Sequence, residues 1–184
     1  MELLKTLMPL LYMALILFAS GCNKDEPLDE TPPVLSVTPV DITTVNSIIA
    51  FGADLTPSQK NPAFEYYVNN SDVQVRSVCP GQIENIMLND NFPDYEVWVK
   101  ISANSVWRII YDHVLNPGIP VNNEISPGDI LGTVGEGNRT ELQINKISEG
   151  SELSYCPFEF GTSDFIQQHK AFTGDWCLEE TVVP

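Results

Sequence analysis

Histidine is almost missing from this chain: two in 184 residues, His113 and His169. Cations are scarce too, with nine Lys and Arg against 25 Asp and Glu and a formal net charge of -16. So acidic a chain is a poor match for nucleic acid or for anionic lipid headgroups. The four cysteines form no C-x-x-C pair, which argues against a cysteine zinc site. No apolar run reaches the roughly 20 residues that a membrane-spanning helix needs. What remains is an ordinary apolar fraction, 43%, enough for one hydrophobic core.

The first 22 residues carry their own message. Met1 to Lys5 is short and charged, Thr6 to Phe18 is apolar, and Ala19-Ser20-Gly21 precede Cys22. This is the pattern of a secretory signal peptide, here spanning 1–21. Small residues before a cysteine resemble the lipobox of bacterial lipoproteins, with Ala19 where leucine is commonest. The resemblance implies lipid on Cys22, which becomes the membrane anchor. Glu2 and Lys5 leave with the signal, so the net charge stays at -16. Behind Cys22, Asn23 to Glu30 is acidic, and Pro27, Pro32, Pro33 and Pro39 stiffen the chain. Residues 22–46 are expected to be a tether. Their acidity resembles that of Bacteroidetes surface lipoproteins and implies an outer-membrane lipoprotein, on its periplasmic or its cell-surface face. Export permits disulfides. Of the three cysteines left, Cys156 and Cys177 are the nearest in sequence and the first choice for a bridge; Cys79 with either is the alternative.

The body, 47–184, reads as one β domain with a helical extension. Short alternating runs cover Val73 to Val78, Gln82 to Leu88, Glu96 to Ser102, Ser105 to His113, Asp129 to Val134 and Glu141 to Ile147. Turn formers separate them: Pro80-Gly81, Asn89-Asp90-Asn91, Asn116-Pro117-Gly118, Pro127-Gly128 and Gly135 to Asn138. One helix is expected, Asp164 to Phe172 capped by Ser163. Whether Val34 to Leu55 adds a strand stays open. Many short strands with little helix make an all-β sandwich or barrel.

Several phrases, over roughly residues 50 to 160, resemble the lysostaphin-type zinc metallopeptidases that cut peptidoglycan cross-bridges. Tyr111-Asp112-His113-Val114 resembles the family's Y-x-H-L. Val121 to Gly135, ending Gly128-Asp129-Ile130-Leu131-Gly132-Thr133-Val134-Gly135, resembles its glycine-punctuated turn and strand. Arg139-Thr140-Glu141-Leu142-Gln143-Ile144 stands where the family has H-L-H-F-E-I, and Val75 to Ile83 resembles an upstream strand and turn. The resemblance implies an antiparallel β sandwich of the duplicated hybrid motif type.

The resemblance also shows what is missing. The family binds zinc through H-x-x-x-D and the second histidine of H-x-H, and two further histidines assist the attacking water. Here Asn61 and Glu65 fall at the first pair, Glu141 at the last ligand, and Arg139 at an assisting histidine; His113 matches the other. An asparagine amide is a poor zinc ligand, and an arginine stays protonated and cannot act as a base. No metal and no catalytic residue are therefore expected, His113 and Arg139 being vestigial. His113 could equally be a strand-end residue with a structural bond, and Arg139 with Glu141 a salt bridge on one strand face. Asp112 should point to the opposite face from His113. Tyr66, Tyr67, Trp98, Trp107 and Tyr111 are expected as core and groove wall. The reading is a catalytically inactive, lipid-anchored envelope domain that binds or regulates, with peptidoglycan or an envelope protein as partner. The alternative is an active zinc-dependent endopeptidase using Glu65, Glu141 and His113; a purely structural surface protein is a third.

Overall fold

The computed structural model describes residues 27–148 and 150–184. The signal peptide, Cys22 and residues 23–26 of the expected tether lie outside the described residues. The fold class is the one expected: all-β, with one large antiparallel sheet and one short helix among the described residues.

The main path of the sheet starts at β1 (Val45–Ile49), which pairs with β4 (Phe64–Val68). It continues through β11 (Arg139–Ser148), β8 (Trp107–Leu115), β7 (Tyr95–Lys100) and β6 (Gly81–Leu88) to β9 (Glu124–Ile125). Off this path, β10 (Ile130–Val134) joins β8 to β5 (Gln74–Arg76), and β12 (Ser151–Tyr155) joins β11 to β13 (Thr181–Val182). A separate hairpin is made by β2 (Asp54–Thr56) and β3 (Gln59–Lys60).

Alternation sorts the strands into two faces, because successive side chains point opposite ways. Phe64 and Tyr66 on β4, Leu142 and Ile144 on β11, Ile109 and Tyr111 on β8, and Val97 and Val99 on β7 are buried in one core. Their neighbours Glu65, Tyr67, Glu141, Gln143, Ile110, Asp112, Glu96 and Trp98 share the other face. The aromatic residues divide the same way: Tyr66, Trp107 and Tyr111 belong to the core, Tyr67 and Trp98 to the wall of a groove.

From Asp29 on, the segment expected as a tether is laid onto the domain. Asp29 N–H donates to the Asn104 carbonyl (2.8 Å) and Val106 N–H to that of Asp29 (2.9 Å). Leu35 and Val40 are fully buried. Leu35 bridges Gly161, and Ser36 N–H donates to Val78 O. Leucine and valine between the prolines give this stretch apolar area to bury, and proline suits it to an extended path beside a sheet.

The helix α1 (Ser163–Phe172) is capped by Thr162 rather than Ser163. The Thr162 hydroxyl accepts from Phe165 N–H at 3.3 Å. Cys156 and Cys177 are joined, and Cys79 is a buried free thiol pushed up to about 12 by burial. The bridge holds the last segment so that Trp176, fully buried, stands among Phe64, Tyr66 and His169. His169 is itself fully buried, between the Tyr66 hydroxyl (2.8 Å) and the Phe165 carbonyl (2.7 Å); burial lowers its pKa to about 4. It is a core residue.

Candidate functional site

The polar face of the sheet forms a groove of about 550 Å³, and a row of carboxylates crosses its floor. Register makes the row. Glu141 on β11 lies directly opposite Glu65 on β4 and opposite Asp112 on β8. Glu96 of β7 and Glu152 of β12 line the same groove. Like charges directly opposite one another are destabilising, and here most are partly withdrawn from water. Burial raises the Glu141 carboxyl to about 8, with the charges of Glu65 and Asp112 adding to it. Burial likewise raises Glu96.

Among the described residues, Arg139 is the cation that offsets the row. Arg139, two residues before Glu141 on the same face, places Nη1 2.7 Å from Glu65 Oε1 and 3.9 Å from Glu141 Oε1. The Tyr67 hydroxyl donates to the same Glu65 Oε1 at 2.6 Å. Burial would lower the Arg139 pKa, but the bond to Glu65 outweighs it and the net shift is upward. Phe92, from the β6–β7 loop, stacks on the guanidinium at 5.1 Å and stands edge-on to His113, also at 5.1 Å.

Asn61 lies 1% exposed at the groove's end and is spent on backbone. Its amide donates to the carbonyls of Ile49, Ala50 and Ala63, and its Oδ1 accepts from Ala63 N–H. It ties the end of β1 to the start of β4.

Asp112 and His113 do not take opposite faces. Across β7 and β8, Tyr95 pairs with Val114 and Val97 with Tyr111, so two residues face Glu96 alone. This bulge, with His113 at φ 54°, re-aims both side chains. His113 Nε2 then lies 3.6 Å from Asp112 Oδ2 and 3.7 Å from Glu141 Oε1. Its Nδ1 faces Asp94 Oδ2 at 3.0 Å. Sequence reasoning missed Asp94. The residue is fully buried, and burial pushes its carboxyl up; bonds from Asn89, Glu136 N–H and His113 more than reverse this and hold it below its ordinary value. Gly135 makes the fit possible: a Cβ there would collide with the Asp94 carboxylate and with His113. The turn signal at Asn89 to Asn91 was the one hint that an acid could be delivered here.

The donor set does not suit a hydrolytic zinc at the expected positions. Asn61 is held on four backbone bonds at both ends of its amide, and Glu65 already carries a guanidinium and a phenol. A permanent positive charge occupies the space beside both carboxylates. Asp94, Asp112 and His113 do bring ligand atoms within 4.8 Å of one another. There, however, the Asn89 amide already donates to both carboxylates, at 2.8 and 2.7 Å.

No protein-family model and no curated protein matches the sequence. Solved structures share its fold. A chain of the SpoIIQ–SpoIIIAH pore-forming complex aligns with a TM-score of 0.53 and 14% identity, over 71% of this chain and 92% of that one. Csd3 of Helicobacter pylori aligns at 0.50 and 19% identity, over 77% of this chain but only 38% of its own length. The catalytic domain of the antimicrobial peptidase lysostaphin from Staphylococcus simulans aligns at 0.49 and 15% identity, over 62% and 89% of the two chains. At such identities the likeness is one of fold.

Proposed function

We propose that this protein is a cell-envelope domain with the fold of the lysostaphin-type peptidases that binds an envelope ligand or partner in its groove without hydrolysing it. The observation that carries the reading is the 2.7 Å bond from Arg139 to Glu65. A hydrolytic zinc needs three protein ligands and an open position for water. Here one candidate ligand is neutralised by a side chain, and another, Asn61, is a neutral amide tied to backbone. The groove itself is kept, with acids, amides and two aromatic walls over about 550 Å³. Recognition needs no more than that. The likeness to a chain of the SpoIIQ–SpoIIIAH complex supports a role of this fold in protein assembly.

Attachment belongs to the same proposal. The apolar run to Phe18, the small residues before Cys22 and the acidic stretch behind it support a lipid anchor and an outer-membrane location. The alternative, a zinc endopeptidase on Glu65, Glu141 and His113, draws on the approach of His113 Nε2 to Glu141.

The test is incubation of the purified protein with cross-linked peptidoglycan. The expected result is co-sedimentation, or capture of an envelope protein, with no soluble peptide released. Release of cross-link fragments that stops with a chelator and in Glu141→Gln would establish the alternative.

A further inference from the structure

We propose that the Arg139 guanidinium is the resident cation of this groove: it stands between Glu65 and Glu141 in the place of a metal ion, and its removal opens a latent divalent-cation site on those two carboxylates. The proposal rests on the non-hydrolytic reading above and extends it to the charge balance of the groove.

The register sets the problem. Paired residues on adjacent antiparallel strands hold their Cβ atoms about 4.5–5.5 Å apart, and Glu65 and Glu141 are such a pair. Their side chains are 4% and 17% exposed. Two shielded carboxylates this close need a cation or a proton between them. Further negative charge presses on the pair from Asp112 on β8, Glu96 on β7 and Glu152 on β12. The groups of the other sign or neutral character are Arg139, His113 and Tyr67.

Arg139 meets the need in a way that excludes chemistry. Its charge is permanent, so it can neither activate a water nor leave. Phe92 stacks on it, and Glu65 Oε1 accepts from it and from Tyr67 together. Without the guanidinium, Glu65 Oε1 and Glu141 Oε1 would face the space it leaves, with His113 Nε2 3.7 Å from the latter. Two carboxylates and an imidazole are a donor set that zinc accepts.

Thermal unfolding of the full chain, in excess zinc and in chelator, tests this on the wild type, Arg139→Gln, Arg139→Lys and the double variant Glu65→Gln/Arg139→Gln. The wild type should unfold at the same temperature in both media. Arg139→Gln should unfold several degrees earlier in chelator and recover, saturably, with zinc. Arg139→Lys should lie between, with no zinc response. The double variant should regain the lost stability in chelator and ignore zinc. If Arg139→Gln does not fold in chelator, zinc or the second substitution should restore folding; failure of both overturns the proposal. So does an Arg139→Gln protein whose unfolding zinc does not move, with the wild type also silent. A zinc response already present in the wild type would instead overturn the non-hydrolytic reading on which the proposal stands.

Discussion

Replacing Glu141 by glutamine should make this protein harder to unfold, and increasingly so as the pH rises. The carboxyl is about 4.5 in an unfolded chain and is raised to about 8 in the fold by burial and by its acidic neighbours. A raised carboxyl means that the folded state binds the extra proton, so its stabilising share is complete below pH 4.5 and is lost as the pH climbs towards 8. Linkage puts the loss at roughly 2 kcal/mol by pH 6 and roughly 4 kcal/mol by pH 8. Glutamine keeps the shape, cannot ionise, and breaks no hydrogen bond: His113 Nε2 and Arg139 Nη1 lie 3.7 and 3.9 Å from Glu141 Oε1. The two proteins should therefore unfold alike near pH 4.5. By pH 8 they should differ by roughly 10 °C, at about 2–4 °C per kcal/mol for a domain of this size. Calorimetry or denaturant titration from pH 4.5 to 8.5 measures it. A difference that is flat with pH, or that favours the wild type at pH 8, would refute the carboxylate-row argument.

Other outcomes follow from the same geometry. His169, held neutral by burial with a pKa near 4, should cost the fold stability as the pH falls from about 6.5 towards 4, its ordinary and folded values. An NMR titration should show His169 still neutral at pH 5, and His169→Gln should flatten the acid limb of the stability curve. Opening the Cys156–Cys177 bridge with paired serines should destabilise by roughly 2–4 kcal/mol, a loop-closure effect for a sequence separation of 21, read by denaturant midpoint. Gly135→Ala should destabilise by several kcal/mol, on the order of an overpacked core site, because its Cβ meets Asp94 and the backbone of His113. Circular dichroism melts would show it, and a Gly135→Ala protein as stable as wild type would contradict the close packing around Asp94.

Much of the fold was legible in the sequence because period-two alternation is local. Glu96 to Ser102 alternates cleanly, and its residues up to Lys100 lie in β7; Ser163 to Phe172 carries a helical pattern. The strand β4, Phe-Glu-Tyr-Tyr-Val, escapes a local reading, since its outer face holds Tyr67 and a buried Glu65 that only neighbouring strands explain. Residues 27–46 misled for a related reason: prolines and acids read as a spacer, whereas burial of Leu35 and Val40 depends on a surface formed by distant residues. In the site, the pairing of Arg139 with acids was readable from spacing, but not that Glu65 would take the bond. The bulge at Asp112 and His113 has no glycine to announce it, and Asp94 reaches His113 from a loop 19 positions upstream. Such contacts are products of register, which no short motif encodes.

On the function proposed above, the groove holds no hydrolytic ion, because Arg139 pairs with Glu65 and Asn61 is tied to backbone. Metal per chain, determined by elemental analysis on protein purified with and without added zinc, tests it most directly. No stoichiometric metal is expected in either preparation. One tightly held ion per chain, lost in Glu141→Ala, would contradict it and make hydrolysis of peptidoglycan cross-links the activity to assay.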